Sequence, residues 1–209
     1  MERHEHLPNC KDVIPINAAR MFKSPAPVLS TPAVSVLLES AGRSILEIGA
    51  GCLRNALHLQ RRGFKVTVLE IKGIDDRFPV QYDLFKRLGG KVLFEMPEKR
   101  FDWALSTFVV ETICSIQARK QVVERIRHSL NESGFCVFSV RGPSDLVTAR
   151  AKGVPVSDGY LTPGRTFARS YSRDQFAKFL TTCGFDDLQF LHRKTVKAPE
   201  LLHVIAKFH

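Results

Sequence analysis

From Ser44 onward, hydrophobic and polar residues follow two alternating patterns. Short apolar runs rich in β-branched residues predict buried strands, and longer stretches with apolar residues three or four positions apart predict amphipathic helices. The predicted strands are 44–50, 65–71, 91–96, 100–110 and 135–142, and the predicted helices between them are 53–63, 78–90 and 117–134. Strands that alternate with helices in this order are typical of βαβ units on a parallel sheet.

The two ends of the chain depart from this alternation. Near the start, the prolines of FKSPAPVLSTPAV exclude a continuous helix before Pro32, and a helix is predicted from Pro32 to Ser40. Near the end, Ser172 and Gln175 form a capping box for a helix over 173–184. Two last strands are predicted after it. Because the connection between them is too short for a crossover helix, we expect them to pair antiparallel. They are 185–193 and 201–209.

The stretch SILEIGAGCLRNALHL places Gly49 and Gly51 where the first strand meets the first helix of the alternation. Arg54 stands where a dinucleotide-binding fingerprint has its third glycine, which disfavours a pyrophosphate site, and no G-K-[ST] sequence follows to make a P-loop. Glu47 precedes the glycines, and Glu70 lies at the end of the next strand, where a carboxylate can bind both ribose hydroxyls. The pattern favours a nucleoside that carries a positively charged amino-acid tail and no pyrophosphate.

A family resemblance agrees with this interpretation. ILEIGAGCLRNALHLQRRGFKVTVLEI is similar to the first two motifs of class I S-adenosylmethionine-dependent methyltransferases, and FDWALSTFVVETI and LNESGFCVFSVRG resemble their fourth- and fifth-strand regions. The resemblance covers about Ile45 to the C-terminus. It implies an α/β fold with a Rossmann-like, doubly wound seven-stranded sheet, an antiparallel last strand and helices on both faces. The chain departs from many members at Leu53, where they have a third glycine, and at Glu47, where they have aspartate.

The resemblance also implies a cofactor and the residues that hold it. The cofactor would be S-adenosyl-L-methionine, with S-adenosyl-L-homocysteine as product. The residues after Ile45 would bind the methionine portion, Glu70 the ribose, the end of the third strand would border the adenine, and the fourth strand would close the pocket. The implied cofactor-binding residues are Glu47, Gly49, Ala50, Gly51, Asn55, Glu70, Ile71, Glu95, Met96, Ser106 and Thr107.

Net charge adds an expectation about the substrate. The 209 residues include 31 Lys and Arg against 21 Asp and Glu, a formal charge of +10. This excess predicts an acidic partner, with nucleic acid the first candidate and an anionic small molecule the second, although a merely basic protein is an equal alternative. We expect residues 1–43 to cap the cofactor site and residues 44–209 to form the methyltransferase domain.

The segment 143–171 follows the fifth strand and lacks clear periodicity. Its glycines, prolines, arginines and aromatic residues would begin at the carboxyl edge of the sheet, where ligands bind in doubly wound folds. We predict a basic, aromatic lid, the alternative being aromatic residues that pack inward and arginines that face water. A looser similarity to putative bacterial methyltransferases associated with DNA phosphorothioation also implies a lid here. The predicted substrate-binding residues are Arg141, Arg165, Phe167, Arg169 and Tyr171.

An enzyme that transfers a methyl group needs little beyond orienting the acceptor toward the cofactor. A general base helps where the acceptor is protonated. Glu111, Asp158 and Tyr160 are the candidate bases, although a carboxylate at a helix start, as Glu111 is, more often offsets the helix dipole. The amino-methyltransferase motif [DNS]-P-P-[YF] is missing after the fourth strand, and no metal-ligand spacing is present, so no metal is predicted. Three functions remain open: methylation of a nucleic acid or nucleotide-like anion, methylation of a small metabolite, and cofactor binding without catalysis. A nicotinamide-dependent oxidoreductase is disfavoured by Arg54.

The five cysteines are scattered and contain no C-x-x-C pair, which predicts free thiols in a reducing cytoplasm. Cys114 and Cys136 lie in apolar runs and are expected to be buried and inert. The start of the chain has no apolar signal region, and no apolar run approaches the ~20 residues that cross a bilayer. A cytoplasmic protein with no membrane partner is therefore predicted, and its oligomeric state is left open.

Overall fold

The computed structural model describes residues 9–191 and 200–209, except for the side chains of Asn17 and Ala18. The strands are β1 (Ser44–Ile48), β2 (Lys65–Leu69), β3 (Lys91–Leu93), β4 (Phe101–Thr107), β5 (Leu130–Arg141), β6 (Val154–Val156), β7 (Gly159–Leu161), β8 (Phe167–Ala168), β9 (Asp187–Leu191) and β10 (Leu201–Lys207). The α-helices are α1 (Pro32–Ser40), α2 (Arg54–Arg61), α3 (Ile74–Arg77), α4 (Pro79–Arg87), α5 (Ile116–His128), α6 (Val147–Lys152) and α7 (Arg173–Thr182). Short 3₁₀ turns cover Cys10–Asp12, Pro15–Ala18, Pro27–Ser30, Val110–Thr112 and Pro143–Leu146.

Seven strands form one sheet in the order β3-β2-β1-β4-β5-β10-β9. The first five run parallel, and β10 lies antiparallel to both β5 and β9. The predicted doubly wound sheet with an antiparallel last strand is confirmed. Because β1 pairs with both β2 and β4, the strand order reverses beside it. The carboxyl ends of β1 and β4 therefore flank the crevice in which such sheets bind ligands.

Both faces of the sheet are covered by apolar packing, as its parallel strands require. On one face the Trp103 ring stacks on Phe135 at 5.7 Å and meets the edge of Phe64 at 6.0 Å between centroids. On the other face the Phe138 ring meets Phe176 and Phe185 edge-on, at 5.9 and 5.7 Å. These rings are buried, so the sheet is the middle layer of three.

The predicted boundary between the long helix and the fifth strand was wrong. The helix predicted to continue to residue 134 ends at His128, and β5 begins at Leu130. The register shifts between the pairs Phe101–Leu130 and Trp103–Phe135, which marks a bulge at the start of β5. The sequence LNESG has the composition of a helix end followed by a turn, but pairing with β4 places it in the sheet. The short helix α3 was not predicted either.

The predicted irregular segment 143–171 has regular structure. After a 3₁₀ turn and α6, it forms a small antiparallel sheet in the order β6-β7-β8, which we call the small sheet. Its strands are two or three residues long, too short to show a period of two in the sequence. The lack of periodicity therefore hid these strands, and the role of the segment as a lid stays a prediction.

The cysteine prediction was wrong for one pair. Cys10 and Cys114 form a disulfide, with their Cα atoms 5.4 Å apart, and Cys52, Cys136 and Cys183 are free and buried. The two partners are separated by 104 residues, so their pairing leaves no local spacing signal in the sequence. The bond ties the N-terminal stretch to the loop before α5.

The described residues also bear on the predicted absence of a membrane span and on the predicted strand 185–193. None of the helices in residues 9–191 and 200–209 is long and apolar enough to cross a membrane. The last two residues of the strand predicted over 185–193 lie outside the described residues, and β9 covers the rest from Asp187. The predicted cytoplasmic location stays a prediction.

Candidate active site

A cavity of about 730 Å³ opens at the carboxyl ends of β1, β2, β3 and β4. The strand ends and the glycine turn form its floor, and residues between Pro15 and Phe22 form part of its lining, which we call the N-terminal wall. The sequence-predicted residues that line it are Gly49, Ala50, Gly51, Asn55, Glu70, Ile71, Glu95, Met96 and Thr107. The structure thus brings most of the predicted cofactor set to one site, together with part of the predicted N-terminal cap.

The glycine turn lets the backbone come close to the cavity. Gly49 and Gly51 have φ angles of +64° and +55°, in the left-handed region that side chains disfavour. A Cβ atom at Gly49 would lie 2.6 Å from Cγ2 of Val109, which leaves no room for a side chain. The bare backbone is therefore the surface that a ligand meets here.

Glu70 is held at the rim of this turn by backbone donors. Its Oε1 accepts a hydrogen bond from the N–H of Gly51, and its Oε2 accepts one from the N–H of Ile71 at 3.1 Å. Burial raises the pKa of this carboxyl, while the two N–H donors act in the opposite direction. The Tyr82 hydroxyl also donates to the carbonyl of Gly51 at 3.1 Å. These bonds fix the carboxylate in the cavity wall.

Asn55 joins three segments beneath the cavity. Its Nδ2 donates to Oε1 of Glu47 at 2.9 Å and to Oγ1 of Thr107 at 3.1 Å, and its Oδ1 accepts from the N–H of Ala26 at 2.7 Å. Glu47 is fully buried below the floor, and its Oε2 has no hydrogen-bond partner in the described part of the chain. Burial raises the pKa of Glu47 to about 8, opposed by the bond from Asn55. Ser106 is likewise buried and is not part of the cavity wall.

The end of β4 contributes residues that sequence analysis missed. Phe108 has a φ angle of +60°, a strained conformation for a bulky side chain, and it lines the cavity with Val109. Their position directly after the predicted Thr107 was a usable signal, because strand ends in this fold point to the crevice. Further missed wall residues are Phe94, Thr112, Ile113, Val122 and Arg125.

The N-terminal wall is attached to the rest of the molecule at several points. Arg77 donates to the carbonyl of Ile16, and the N–H of Phe22 donates to Sγ of Cys52 at 3.4 Å. The N–H of Ile14 donates to the carbonyl of Arg165 at 2.7 Å, which links this wall to the small sheet. Sequence analysis found no signal for these individual residues, because their roles depend on long-range contacts.

Glu111 is fully buried next to the cavity but does not line it. Neither of its carboxylate oxygens has a hydrogen-bond partner among the described residues, and Nε of Arg141 is 3.9 Å from Oε1. Burial raises the pKa of Glu111 to about 7, although the Arg141 guanidinium acts in the opposite direction. Arg141 also pairs with Asp145 at 3.2 Å. This arrangement keeps both predicted residues outside the cavity wall.

The remaining predicted residues hold the small sheet in place. Arg119, buried on α5, donates to both carboxylate oxygens of Asp158, at 3.1 and 2.8 Å, and to the Tyr171 hydroxyl at 3.0 Å. Arg169 pairs with the same aspartate, and its guanidinium carbon lies 4.3 Å from the centroid of the Tyr171 ring. Phe167 is buried beside them. None of these side chains lines the cavity, so the structure shows packing where the sequence predicts substrate contact.

Two other predicted residues also lie away from the cavity wall. The Tyr160 hydroxyl accepts a hydrogen bond from Nε of Arg150 at 3.3 Å, and Nε of Arg165 donates to the carbonyl of Asp12 at 3.1 Å. Within residues 9–191 and 200–209, no three His, Cys, Asp or Glu side chains are grouped so as to hold a metal ion.

Comparison with known proteins assigns the family. The family of methyltransferase domains matches residues 19–189, which is most of the chain. The chain belongs to this family. With the fold described above, the match confirms the predicted class I, S-adenosylmethionine-dependent methyltransferase. No curated protein matches the chain in sequence.

Solved structures show the same fold. The 1,6-didemethyltoxoflavin-N1-methyltransferase of Burkholderia thailandensis, with 1,6-didemethyltoxoflavin and S-adenosylhomocysteine bound, is 21% identical over 87% of this chain and 79% of that chain, with a TM-score of 0.64. The CcbJ methyltransferase of Streptomyces caelestis is 16% identical over 90% of this chain and all of that chain, with a TM-score of 0.61. The glycopeptide N-methyltransferase MtfA, complexed with sinefungin, is 15% identical over 88% of this chain and 95% of that chain, with a TM-score of 0.64.

Proposed function

We propose that this methyltransferase transfers a methyl group from S-adenosylmethionine to a small molecule that binds in the same cavity. The observation that carries the proposal is the N-terminal wall, because residues between Pro15 and Phe22 line the same cavity as the strand ends and so add the chain's own residues to the space beside the cofactor. A volume of about 730 Å³ lies in the range of small-molecule sites.

The cavity fits the cofactor. The methionine portion would lie over the bare backbone of Gly49 and Gly51, and the Glu70 carboxylate at the end of β2 would bind the ribose hydroxyls. Met96, after the end of β3, would border the adenine. When bound, S-adenosylmethionine supplies an electrophilic methyl group on a sulfonium.

The protein's own contribution would be binding and orientation. The proposed bases do not line the cavity: Glu111 lies behind its wall, and Asp158 pairs with two arginines. The carboxylates that do line it are Glu70, fixed by two backbone donors, and the exposed Glu95. We infer that the acceptor binds in its reactive, unprotonated form and that the enzyme supplies no general base.

The solved neighbours support a small acceptor. Two of them are named for the molecules that they methylate, 1,6-didemethyltoxoflavin and a glycopeptide. Nothing in these neighbours supports a nucleic-acid acceptor. The formal charge of +10 is the one observation that favours such an acceptor, and the experiment below includes it as an outcome.

Two measurements test the proposal in sequence. Titration calorimetry with S-adenosylmethionine and S-adenosylhomocysteine should show binding that Glu70→Gln weakens at least tenfold and that the exposed control Glu98→Gln leaves unchanged. Transfer of a tritiated methyl group should then be measured to a small-molecule extract, to RNA and to DNA. Label in the small-molecule fraction is expected. Absence of cofactor binding by folded protein, or label confined to nucleic acid, would contradict the proposal.

A further inference from the structure

Arg54, the first residue of α2, brings a cation to the cavity wall. Its guanidinium carbon lies 4.3 Å from the centroid of the Phe22 ring and 6.0 Å from that of Phe108. The two rings come from distant parts of the chain, one from the N-terminal wall and one from the residue that follows β4. The cation thus lies where the two walls meet.

The donors of Arg54 are largely unused. Its one hydrogen bond in the described part of the chain is a long one, 3.5 Å from Nη1 to the carbonyl of Ser24. No carboxylate lies within 4.0 Å of it among those residues. A guanidinium has five N–H donors in a fixed planar arrangement that matches a carboxylate, so most of them remain available to a ligand. Since the side chain is half-buried, an anion bound there would interact more strongly than in water.

The neighbouring rings indicate the shape of that ligand. Phe22 is 49% exposed and lines the cavity, so part of its ring is accessible to a ligand there. Phe108 is placed in the wall at the cost of a left-handed backbone conformation, and strained residues of this kind cluster at ligand sites. Two aromatic faces beside one cation suit a flat molecule that carries an acidic group.

The strand order locates Arg54 relative to the proposed path of the cofactor. That path runs over Gly49 and Gly51 and past Glu70 at the end of β2. Arg54 lies beside Phe108, which follows β4, and β4 lies on the other side of β1 from β2 and β3. This is the part of the cavity left for the acceptor.

We propose that Arg54 binds an acidic group of the methyl acceptor, whose class is therefore a small aromatic or heteroaromatic acid. The inference rests on the proposed function, because it assigns the substrate of that same cavity. Arg54 determines specificity and takes no part in the methyl transfer itself.

Matched ligand pairs test the proposal directly. Protein saturated with S-adenosylhomocysteine is titrated with indole-3-carboxylate, 4-hydroxybenzoate and nicotinate, and with the corresponding primary amides, which keep the ring and remove the charge. We expect at least one acid to bind tenfold or more tightly than its amide. Arg54→Gln should abolish that preference, whereas Arg61→Gln, which removes the same charge from an exposed site on the same helix, should preserve it.

Two controls keep the outcomes separate. Thermal denaturation shows whether Arg54→Gln folds, and Arg54→Lys, which keeps the charge without the planar donors, should retain only part of the preference. Failure of wild-type protein to bind S-adenosylhomocysteine would overturn the proposed function as well. Normal cofactor binding with no acid preferred, or with no acid bound, overturns the acid-binding role alone.

A last measurement tests whether Arg54 binds the carboxylate of the cofactor instead of that of the acceptor. If Arg54→Gln weakens S-adenosylhomocysteine binding tenfold but leaves 5′-methylthioadenosine binding unchanged, the arginine binds the amino-acid tail of the cofactor. That result would also overturn the proposal. The expected result is an S-adenosylhomocysteine affinity within twofold of the wild type.

Discussion

Nδ2 of Asn55 donates a hydrogen bond to Oε1 of Glu47 at 2.9 Å, in the buried polar layer under the cavity. The same amide bonds Thr107 on β4 and the backbone of Ala26 in the segment before α1. A single side chain therefore sets the spacing of the two central strands and of the N-terminal segment at the point where the cavity floor begins.

Asn55→Ala is expected to destabilise the fold by about 2–4 kcal/mol, because each buried polar group left without a partner costs about 1–3 kcal/mol. The free energy of unfolding in urea measures the effect. Asn131→Ala is the matched control, since its amide makes one bond, to Oδ1 of Asp102 in a half-buried setting. Equal losses for the two variants would contradict the role of Asn55 as a junction.

Gly49→Ala is expected to weaken S-adenosylhomocysteine binding at least tenfold. The added Cβ would lie 2.6 Å from Val109, so either the turn or the cavity wall must move. Gly63→Ala separates this steric effect from backbone strain, because Gly63 also has a positive φ angle, +84°, but nothing lies within 4 Å of its Cβ position. The control should cost about 1–2 kcal/mol of stability and leave the affinity unchanged. Similar affinities for the two variants would disprove the close-approach argument.

Glu111 should make the protein less stable as the pH rises from about 4.5 to 7. Its pKa is raised from 4.5 to about 7 in the fold, so across this range the unfolded chain releases the proton while the folded chain retains it. The loss amounts to roughly 3 kcal/mol and is complete above pH 7. Glu111→Gln removes the titration, so the variant should be more stable than the wild type at pH 8 but not at pH 5.

Urea denaturation at pH 5, 6, 7 and 8 measures this difference. Glu98→Gln, at an exposed position, should follow the wild-type curve. Glu47, with a pKa of about 8, also makes the free energy of unfolding fall as the pH rises. The stability of Glu111→Gln should therefore fall less steeply with pH than that of the wild type, but it should not become independent of pH. Parallel curves for Glu111→Gln and the wild type would show that the carboxyl is not desolvated.

Because Cys10 and Cys114 are paired, we can predict how many cysteines react as free thiols. Protein denatured without reductant should show three reactive thiols from its five cysteines, and all five after reduction. Reduction, or Cys10→Ser, should also speed tryptic cleavage after Arg20, because the bond anchors the segment that contains it. Five thiols without reductant, or a cleavage rate that reduction leaves unchanged, would disagree with the anchored N-terminal segment.

The alternation of strands and helices along the chain and most of the cavity floor followed from the sequence because both depend on local patterns. Gly49, Gly51 and Glu70 stand at fixed positions relative to predicted strands, and a parallel sheet brings strand ends to one edge. The helix over Pro32–Ser40 and the capping box at Ser172 are signals of the same local kind, and both are confirmed.

The parts that were missed depend on contacts between distant segments. Cys10 pairs with Cys114 across 104 residues, and the small sheet is built from strands too short to show a period. Arginines and aromatic residues in 143–171 have the composition of a ligand site, yet Arg119 satisfies Asp158 and Tyr171 from another element. Composition alone does not distinguish a ligand-binding cluster from one that binds its own chain.

The link between the small sheet and the N-terminal wall has a mechanical consequence. Arg165 receives a bond from Ile14 and gives one to Asp12, just before the residues that line the cavity. The small sheet therefore acts as a buttress, which supports the wall although its strands do not line the cavity. Changes in those strands would shift the wall, so residues outside the cavity can alter its shape.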